Sequence, residues 1–173
     1  VDVAQLPAFI RDIPDFPKQG VVFKDITPLL ADVDAFRTTI DTIAEHFDGR
    51  RVDRVLGIEA RGFIMAAPVA YRFGAAFVPV RKAGKLPWEI ERVEYELEYG
   101  SDLLEIHRDA VRPGDHVVIV DDVLATGGTA AATVRLVEKL GGVVEGLAFV
   151  LAIDALGGRD KIAGHDVLVL IDC

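Results

Sequence analysis

Two adjacent carboxylates, Asp121 and Asp122, close the apolar run Val117–Val120, and the small-residue segment Ala125-Thr126-Gly127-Gly128-Thr129 follows two positions later. Neighbouring negative charges repel, so a pair at the end of a buried run points to something bound there. The segment ATGGT lies between a predicted strand and a predicted helix. Its backbone N–H groups can therefore point at an anion, with two glycines permitting close approach and two threonines adding hydroxyl donors. A helix N-terminus favours a negative charge by about 0.3–1 kcal/mol, and by up to about 2 in a favourable site. This is the chemistry of a monophosphate cradle. Carboxylates beside such a cradle must address another part of the ligand. Vicinal sugar hydroxyls suit them, because a carboxylate accepts from O–H donors and favours positive charge building at the sugar carbon. A ribose 5-phosphate meets both requirements. The patterns GxxxxGK[ST] and GxGxxG are absent, which removes the usual signatures of triphosphate and dinucleotide binding.

The elements that must position these residues are legible as alternating apolar runs and helical periodicities. Arg54–Glu59, Ala75–Val80, His116–Asp121, Val143–Ile153 and Asp166–Ile171 read as strands. Asp34–Phe47, Arg61–Phe73 and Gly128–Leu140 read as helices, and a short helix is predicted around Leu156–Ile162. Short continuous β-branched runs between helices mark parallel strands buried on both faces, so an open α/β fold is expected. In such sheets ligands bind outside the carboxyl ends of the strands. Three of these ends carry polar residues, namely Glu59-Ala60-Arg61-Gly62, Arg81-Lys82 and Asp121-Asp122, and they are expected on one edge. The segment Arg81–His107 breaks the rhythm. It starts with clustered cations, Gly84 and Pro87, then alternates as VEYELEYG and LLEIH, which predicts a two-stranded antiparallel excursion serving as a lid or binding loop.

The bulk composition sets outer limits. A chain of 173 residues fits one compact domain, with no internal repeat or boundary in view. It is 51% hydrophobic and 27% charged with a mean hydropathy of +0.31, and no window offers the roughly 20 apolar residues that would span a bilayer. The start, VDVAQLPAFIRD, lacks a basic region ahead of an apolar block, so a cytoplasmic location without membrane association is expected. The single cysteine, Cys173, excludes an intramolecular disulfide and a cysteine metal cluster. A net charge of −9 argues against sequence-blind nucleic-acid binding, which needs a basic face.

VVIVDDVLATGGTA resembles the signature of the type I phosphoribosyltransferases, which use phosphoribosyl pyrophosphate (PRPP). FPKQGVVFKDITPLL, GIEARGF, VRKAGKLP and LEYGSDLLEIHRDAV narrow the resemblance to the adenine-specific branch, from about Phe16 to the final strand. The resemblance implies a mostly parallel, Rossmann-like sheet flanked by helices, a small N-terminal hood over about residues 1–33, and a flexible catalytic loop over about 81–107. It implies transfer of the 5-phosphoribosyl group of PRPP to adenine, giving AMP and pyrophosphate in purine salvage, with Mg²⁺ held mainly by PRPP and water. In a member of this family Asp121 and Asp122 hold the ribose hydroxyls, and Ala125, Thr126, Gly127, Gly128 and Thr129 wrap the 5′-phosphate. Arg61, Arg81, Lys82 and Lys85 contact the pyrophosphate, some of them across a homodimer. Adenine lies between Phe23 and Val123 and is read by the backbone of Val22 and Lys24. Glu98 carries the purine proton, with Tyr99 beside it. Val123 is shorter than the leucine expected against adenine, and Trp88 follows GKLP without an evident role.

Each of these residues also has a plainer reading. Glu98 belongs to a run with Glu89, Glu91, Glu94 and Glu96 that could be a solvated strand face; Arg81–Lys85 could be ordinary surface cations, and Phe23 could be core. Main-chain readout of a purine leaves no trace in sequence, so transfer to hypoxanthine, guanine or xanthine stays open. A non-catalytic PRPP or nucleotide sensor is the alternative from another class, and it would normally carry the basic DNA-binding element that this acidic chain lacks.

Overall fold

A computed structural model describes residues 1–97 and 99–173. Nine strands are described: β1 (Arg11–Ile13), β2 (Phe23–Asp25), β3 (Arg54–Ile58), β4 (Ala76–Lys82), β5 (Ile90–Glu96), β6 (Ser101–His107), β7 (His116–Leu124), β8 (Val143–Ala152) and β9 (Val167–Asp172). The α-helices are α1 (Thr27–Ala31), α2 (Val33–His46), α3 (Gly62–Phe73) and α4 (Gly128–Lys139). Seven strands form one sheet in the order β5-β6-β4-β3-β7-β8-β9. The five strands from β4 to β9 in that order pair in parallel, whereas β6 runs antiparallel to both β4 and β5. The mostly parallel α/β architecture expected from the sequence is the one observed.

Period-two alternation explains how one sheet serves two cores. On β7, Val117 and Ile119 face a cluster with Leu136 and Val137 of α4, while Val118 and Val120 face a second cluster with Met65 and Val69 of α3 and Ile40 and Ile43 of α2. Asp32 fixes the start of α2 by accepting from the N–H groups of Asp34 at 3.1 Å and Ala35 at 2.9 Å, a cap worth about 0.5–2 kcal/mol. Gly74, at φ 70°, ends α3 in the left-handed conformation that favours glycine.

Three local expectations are corrected. The helix predicted around Leu156–Ile162 is a pair of 3-10 segments, Asp154–Leu156 and Gly158–Ile162, because two glycines interrupt a stretch too short to sustain α-helix. Strand β7 continues past the paired aspartates to Leu124, because β8 supplies partners as far as Ala152. The excursion is an antiparallel hairpin as expected, but β6 also pairs with β4 at Arg81↔Glu105 and Lys82↔Leu104, so it extends the main sheet. Val93, Tyr95, Leu104 and Ile106 bury one face of the hairpin in the α4-side core.

The N-terminal residues form a separate small layer. A 3-10 segment, Val3–Phe9, anchors itself through buried Leu6, and β1 pairs with β2 with Asp12 opposite Lys24 and Ile13 opposite Phe23. The Phe16–Pro17 peptide is cis, as is the Glu59–Ala60 peptide after β3.

Candidate active site

The carboxyl ends of β3, β4 and β7, neighbours in the sheet, bring the predicted residues together. A cavity of about 350 Å³ is lined by Val22, Phe23 and Lys24 from β2 and its approach, Glu59 and Arg61 after β3, and Asp121, Asp122 and Val123 from β7. A second cavity, of about 790 Å³, is lined by the loop from Ala125 to Thr129 together with Lys82 and Leu97. Val123, Ala125 and Thr129 border both cavities, so an elongated ligand could run from one to the other.

The phosphate end is built by glycine. Gly127, at φ 83°, starts α4, no side chain caps this terminus, and the first N–H groups of a helix have no intrahelical partner. Such free donors at a helix start are the groups that bind anions. Gly158 packs behind the loop, and a side chain on it would collide with the carbonyl of Ala125. Sequence reasoning missed this support, since nothing near Gly158 in the chain signals what it touches. Tyr95 of the hairpin closes over the same terminus, 3.4 Å from where a methyl on Gly128 would stand.

Asp121 and Asp122 are both buried, and the N–H of Asp122 donates to Asp121 Oδ1 at 2.9 Å. Burial, reinforced by the neighbouring charge of Asp122, pushes the Asp121 carboxyl well above the usual carboxylate range. Gly62 makes room for it: a methyl there would lie 2.7 Å from Asp121 Oδ1. The glycine after Arg61 in GIEARGF thus has a packing reason that became visible only once α3 was placed against β7. Asp122 pairs with Arg61, whose guanidinium also lies 5.4 Å from the centroid of the Phe23 ring. Phe23 is half-buried at the cavity wall rather than in the core, braced edge-on by Phe16 at 5.3 Å.

The cations of β4 and the loop after it collect around a carboxylate that sequence analysis placed at a strand end without giving it a role. Glu59 pairs with Lys85, stands 3.5 Å from Arg81 Nε, and accepts the backbone N–H of Lys82 at 2.7 Å. Burial alone would raise the Glu59 carboxyl, but these partners outweigh it and hold it below its ordinary value. The Lys82 ammonium reaches Asp102 on β6 at 2.6 Å, a contact that raises the lysine and lowers the aspartate. Arg61, Arg81, Lys82 and Lys85 are thus each beside a carboxylate.

Of the remaining predicted residues, one stands apart from the cavities and one is not described. Tyr99 is 86% exposed and lines neither cavity, and Glu98 lies outside the described residues. The Lys24 ammonium is held by Asp12 at 2.7 Å, which fits the expectation that Lys24 contributes backbone rather than side chain. Ile58 and Ile153 also line the smaller cavity and were not singled out from sequence. Trp88 lies edge-on to His107, with ring centroids 6.3 Å apart.

Comparison with known proteins agrees with this geometry. The phosphoribosyl transferase domain model matches residues 24–171. An adenine phosphoribosyltransferase from Clostridium perfringens is 57% identical over 163 residues, covering 94% of this chain and 95% of that protein. The chain belongs to the adenine phosphoribosyltransferase family. Among solved adenine phosphoribosyltransferases, the crystal structure from Thermoanaerobacter pseudethanolicus superposes with a TM-score of 0.95 at 53% identity, covering 99% of each chain. The Saccharomyces cerevisiae enzyme, crystallised with an imino-altritol bisphosphate and adenine, gives a TM-score of 0.91 at 41% identity over 97% of each chain.

Proposed function

We propose that this protein transfers the 5-phosphoribosyl group of PRPP to adenine, producing AMP and pyrophosphate. The observation that supports the reading is that the two cavities share Val123, Ala125 and Thr129, so that the ATGGT loop, the carboxylate pair and a slot bordered by Phe23 and Val123 adjoin one another. The ATGGT loop would hold the 5′-phosphate and Asp121 and Asp122 the ribose hydroxyls. The purine would lie against Phe23 and Val123, with the backbone of Val22 and Lys24 at its edge. N9 of adenine attacks the anomeric carbon as the bond from that carbon to the diphosphate oxygen breaks, and the leaving pyrophosphate takes the electron pair. Positive charge then develops on the ribose, where the buried carboxylates offset it, and negative charge on the leaving oxygens, where Arg61, Arg81, Lys82 and Lys85 are gathered. The proton released by the purine ring is assigned to Glu98, with Tyr99 beside it in the chain.

Mg²⁺ is the proposed cofactor. It is a hard cation that takes oxygen ligands and is usually held through substrate phosphates with few protein contacts. The oxygen donors at this site, Asp121 and Asp122 beside the ribose and Glu59 at the diphosphate end, are compatible with such a substrate-borne ion. When bound it would neutralise charge on the diphosphate.

The same reading assigns residues 1–33 as a hood over the purine slot and 81–107 as the catalytic loop, both within a single domain 1–173. It places the enzyme in cytoplasmic purine salvage as a homodimer. An exposed apolar face supports association: Ile64 and Tyr71 of α3 and Phe77 of β4 are exposed, and Phe63 packs edge-on to Phe77 with centroids 5.9 Å apart. The Arg81 guanidinium lies 6.0 Å from the Phe63 ring, so a diphosphate cation borders this face. The deciding experiment is pyrophosphate release from PRPP and Mg²⁺ with adenine, hypoxanthine, guanine, xanthine and uracil offered in parallel. Release with adenine alone is expected; release with a 6-oxopurine would overturn the purine assignment while keeping the ribose-phosphate clamp.

A further inference from the structure

Two carboxylates hold the backbone of the cationic loop Arg81–Lys85 at alternate residues. Glu59 accepts the N–H of Lys82, and Glu105 Oε1 accepts the N–H of Gly84 at 2.8 Å. Glu105 lies on β6, only 2% exposed, and its Oε2 accepts from Nη2 of Arg92 at 2.6 Å. In the sheet it is flanked by Arg92 on β5 and Arg81 on β4, which sets the three residues in one row. The β4–β6 ladder has two rungs, Arg81↔Glu105 and Lys82↔Leu104, and beyond it the chain turns at Gly84 with φ 82°. The Glu105 side chain takes over the backbone where that ladder ends.

Burying a carboxylate is costly, and an apolar residue in place of a buried ion pair is often no less stable. The Arg92 pair alone therefore gives little reason for an acid at this position. An apolar residue could not bind the Gly84 N–H. Nor could it leave Arg81 as it stands: among the described residues, Arg81 Nε is a buried donor without a hydrogen-bond acceptor. Glu59 stands 3.5 Å away as its ion-pair partner but already accepts from Lys82 and faces Lys85, and Glu105 is taken by Arg92 and Gly84. A buried donor without an acceptor costs free energy, and losing the Glu105 charge opposite Arg81 in the row would add to that cost.

We propose that Glu105 is a positioning residue for the diphosphate-binding cations, holding the Gly84 N–H so that Arg81, Lys82 and Lys85 stay aimed at the strand-end site. This rests on the reading of those cations as the PRPP diphosphate contacts. It touches neither substrate nor the reacting atoms.

The test is steady-state kinetics on Glu105→Ala and Glu105→Gln, joined to the Gly84 amide resonance and its hydrogen exchange in the wild-type and variant enzymes. Misplacing substrate contacts by about 1 Å can cost on the order of 100-fold, so Glu105→Ala should lower kcat/KM for PRPP by about 10- to 100-fold through KM. The KM for adenine should stay within about twofold, because the purine slot is built from other elements. Glu105→Gln keeps a side-chain oxygen for Gly84 and should recover most of the PRPP KM while shifting the Gly84 amide. Wild-type PRPP kinetics in folded Glu105→Ala would overturn the proposal, as would equal losses for both substrates with no recovery in Glu105→Gln. Should the alanine variant not fold, the glutamine variant decides: an unmoved Gly84 amide, or losses shared equally by PRPP and adenine, overturns the proposal, and a shifted amide with at most a small rise confined to the PRPP KM supports it. A wild-type enzyme that does not turn over PRPP would count against the proposed function, while the Gly84 amide would still report the contact.

Discussion

Gly127 and Gly158 face each other across the phosphate loop so closely that a methyl on Gly127 would stand 2.5 Å from the carbonyl oxygen of Gly158. The contact lets the Gly158 backbone brace the start of α4 from behind. Gly158 is not in the left-handed region, so an alanine there meets steric rather than conformational opposition. Gly158→Ala is expected to displace Ala125–Gly127, cost about 1–3 kcal/mol of stability as overpacking does, and raise the KM for PRPP while sparing that for adenine. Thermal denaturation and substrate-resolved kinetics on the purified variant check this; a normal PRPP KM would show that the loop does not depend on the brace.

Asp121 should trade stability for binding. Its folded-state carboxyl is raised by burial and by Asp122, so the native state holds its proton more tightly than the unfolded chain does. Stability from this group is therefore greatest below the unfolded value near 3.8 and falls as pH rises through the raised folded value. Asp121→Asn removes the titration. It is expected to melt a few degrees higher than the parent at pH 7, where each kcal/mol is worth about 2–4 °C for a chain of this size, with the gain shrinking toward pH 4. PRPP affinity should fall. A melting temperature unchanged at pH 7 would contradict the buried-charge account.

Glu98 is proposed as the proton acceptor. Glu98→Leu should lower kcat by about 10²–10⁴-fold, the usual worth of general acid–base help, while PRPP binding stays near that of the parent. Single-turnover kinetics beside equilibrium PRPP binding separate the two, and a normal kcat would remove Glu98 from the mechanism.

Phe77 is the test of association. Phe77→Glu places a charge in the exposed face of Ile64, Tyr71 and Phe77 beside Phe63. Light scattering should show a dimer for the parent and a monomer for the variant. If Arg81 serves the neighbouring site, PRPP turnover falls with dissociation. A parent that is monomeric at assay concentration would refute the homodimer.

Strand identities and the location of the site were legible because they follow from local chemistry. The continuous apolar runs of β3, β7 and β8 identified buried parallel strands, and the ATGGT segment could be read as a cradle from backbone freedom alone. What touches across the sheet was not legible. Glu59 was legible only as a polar strand-end residue and Glu105 only as part of the alternation LLEIH, and the adjacency of β3, β4 and β6 revealed that both hold the loop Arg81–Lys85. The hairpin illustrates the same division. Its alternation VEYELEY predicted antiparallel strands, but not that β6 joins β4 or that Tyr95 covers the start of α4.

The sequence by itself determined the chemistry: a carboxylate pair, a small-residue anion loop and clustered cations at strand ends, because side-chain type and spacing within one turn or strand fix which groups can act together. Tertiary structure alone decided which carboxylate meets which cation. It set Arg61 against Asp122, Lys85 against Glu59, Lys82 against Asp102 and Gly158 behind Gly127. Those partners are far apart in the chain, and their contacts depend on sheet order and helix placement, which packing of the two cores selects and no local pattern encodes.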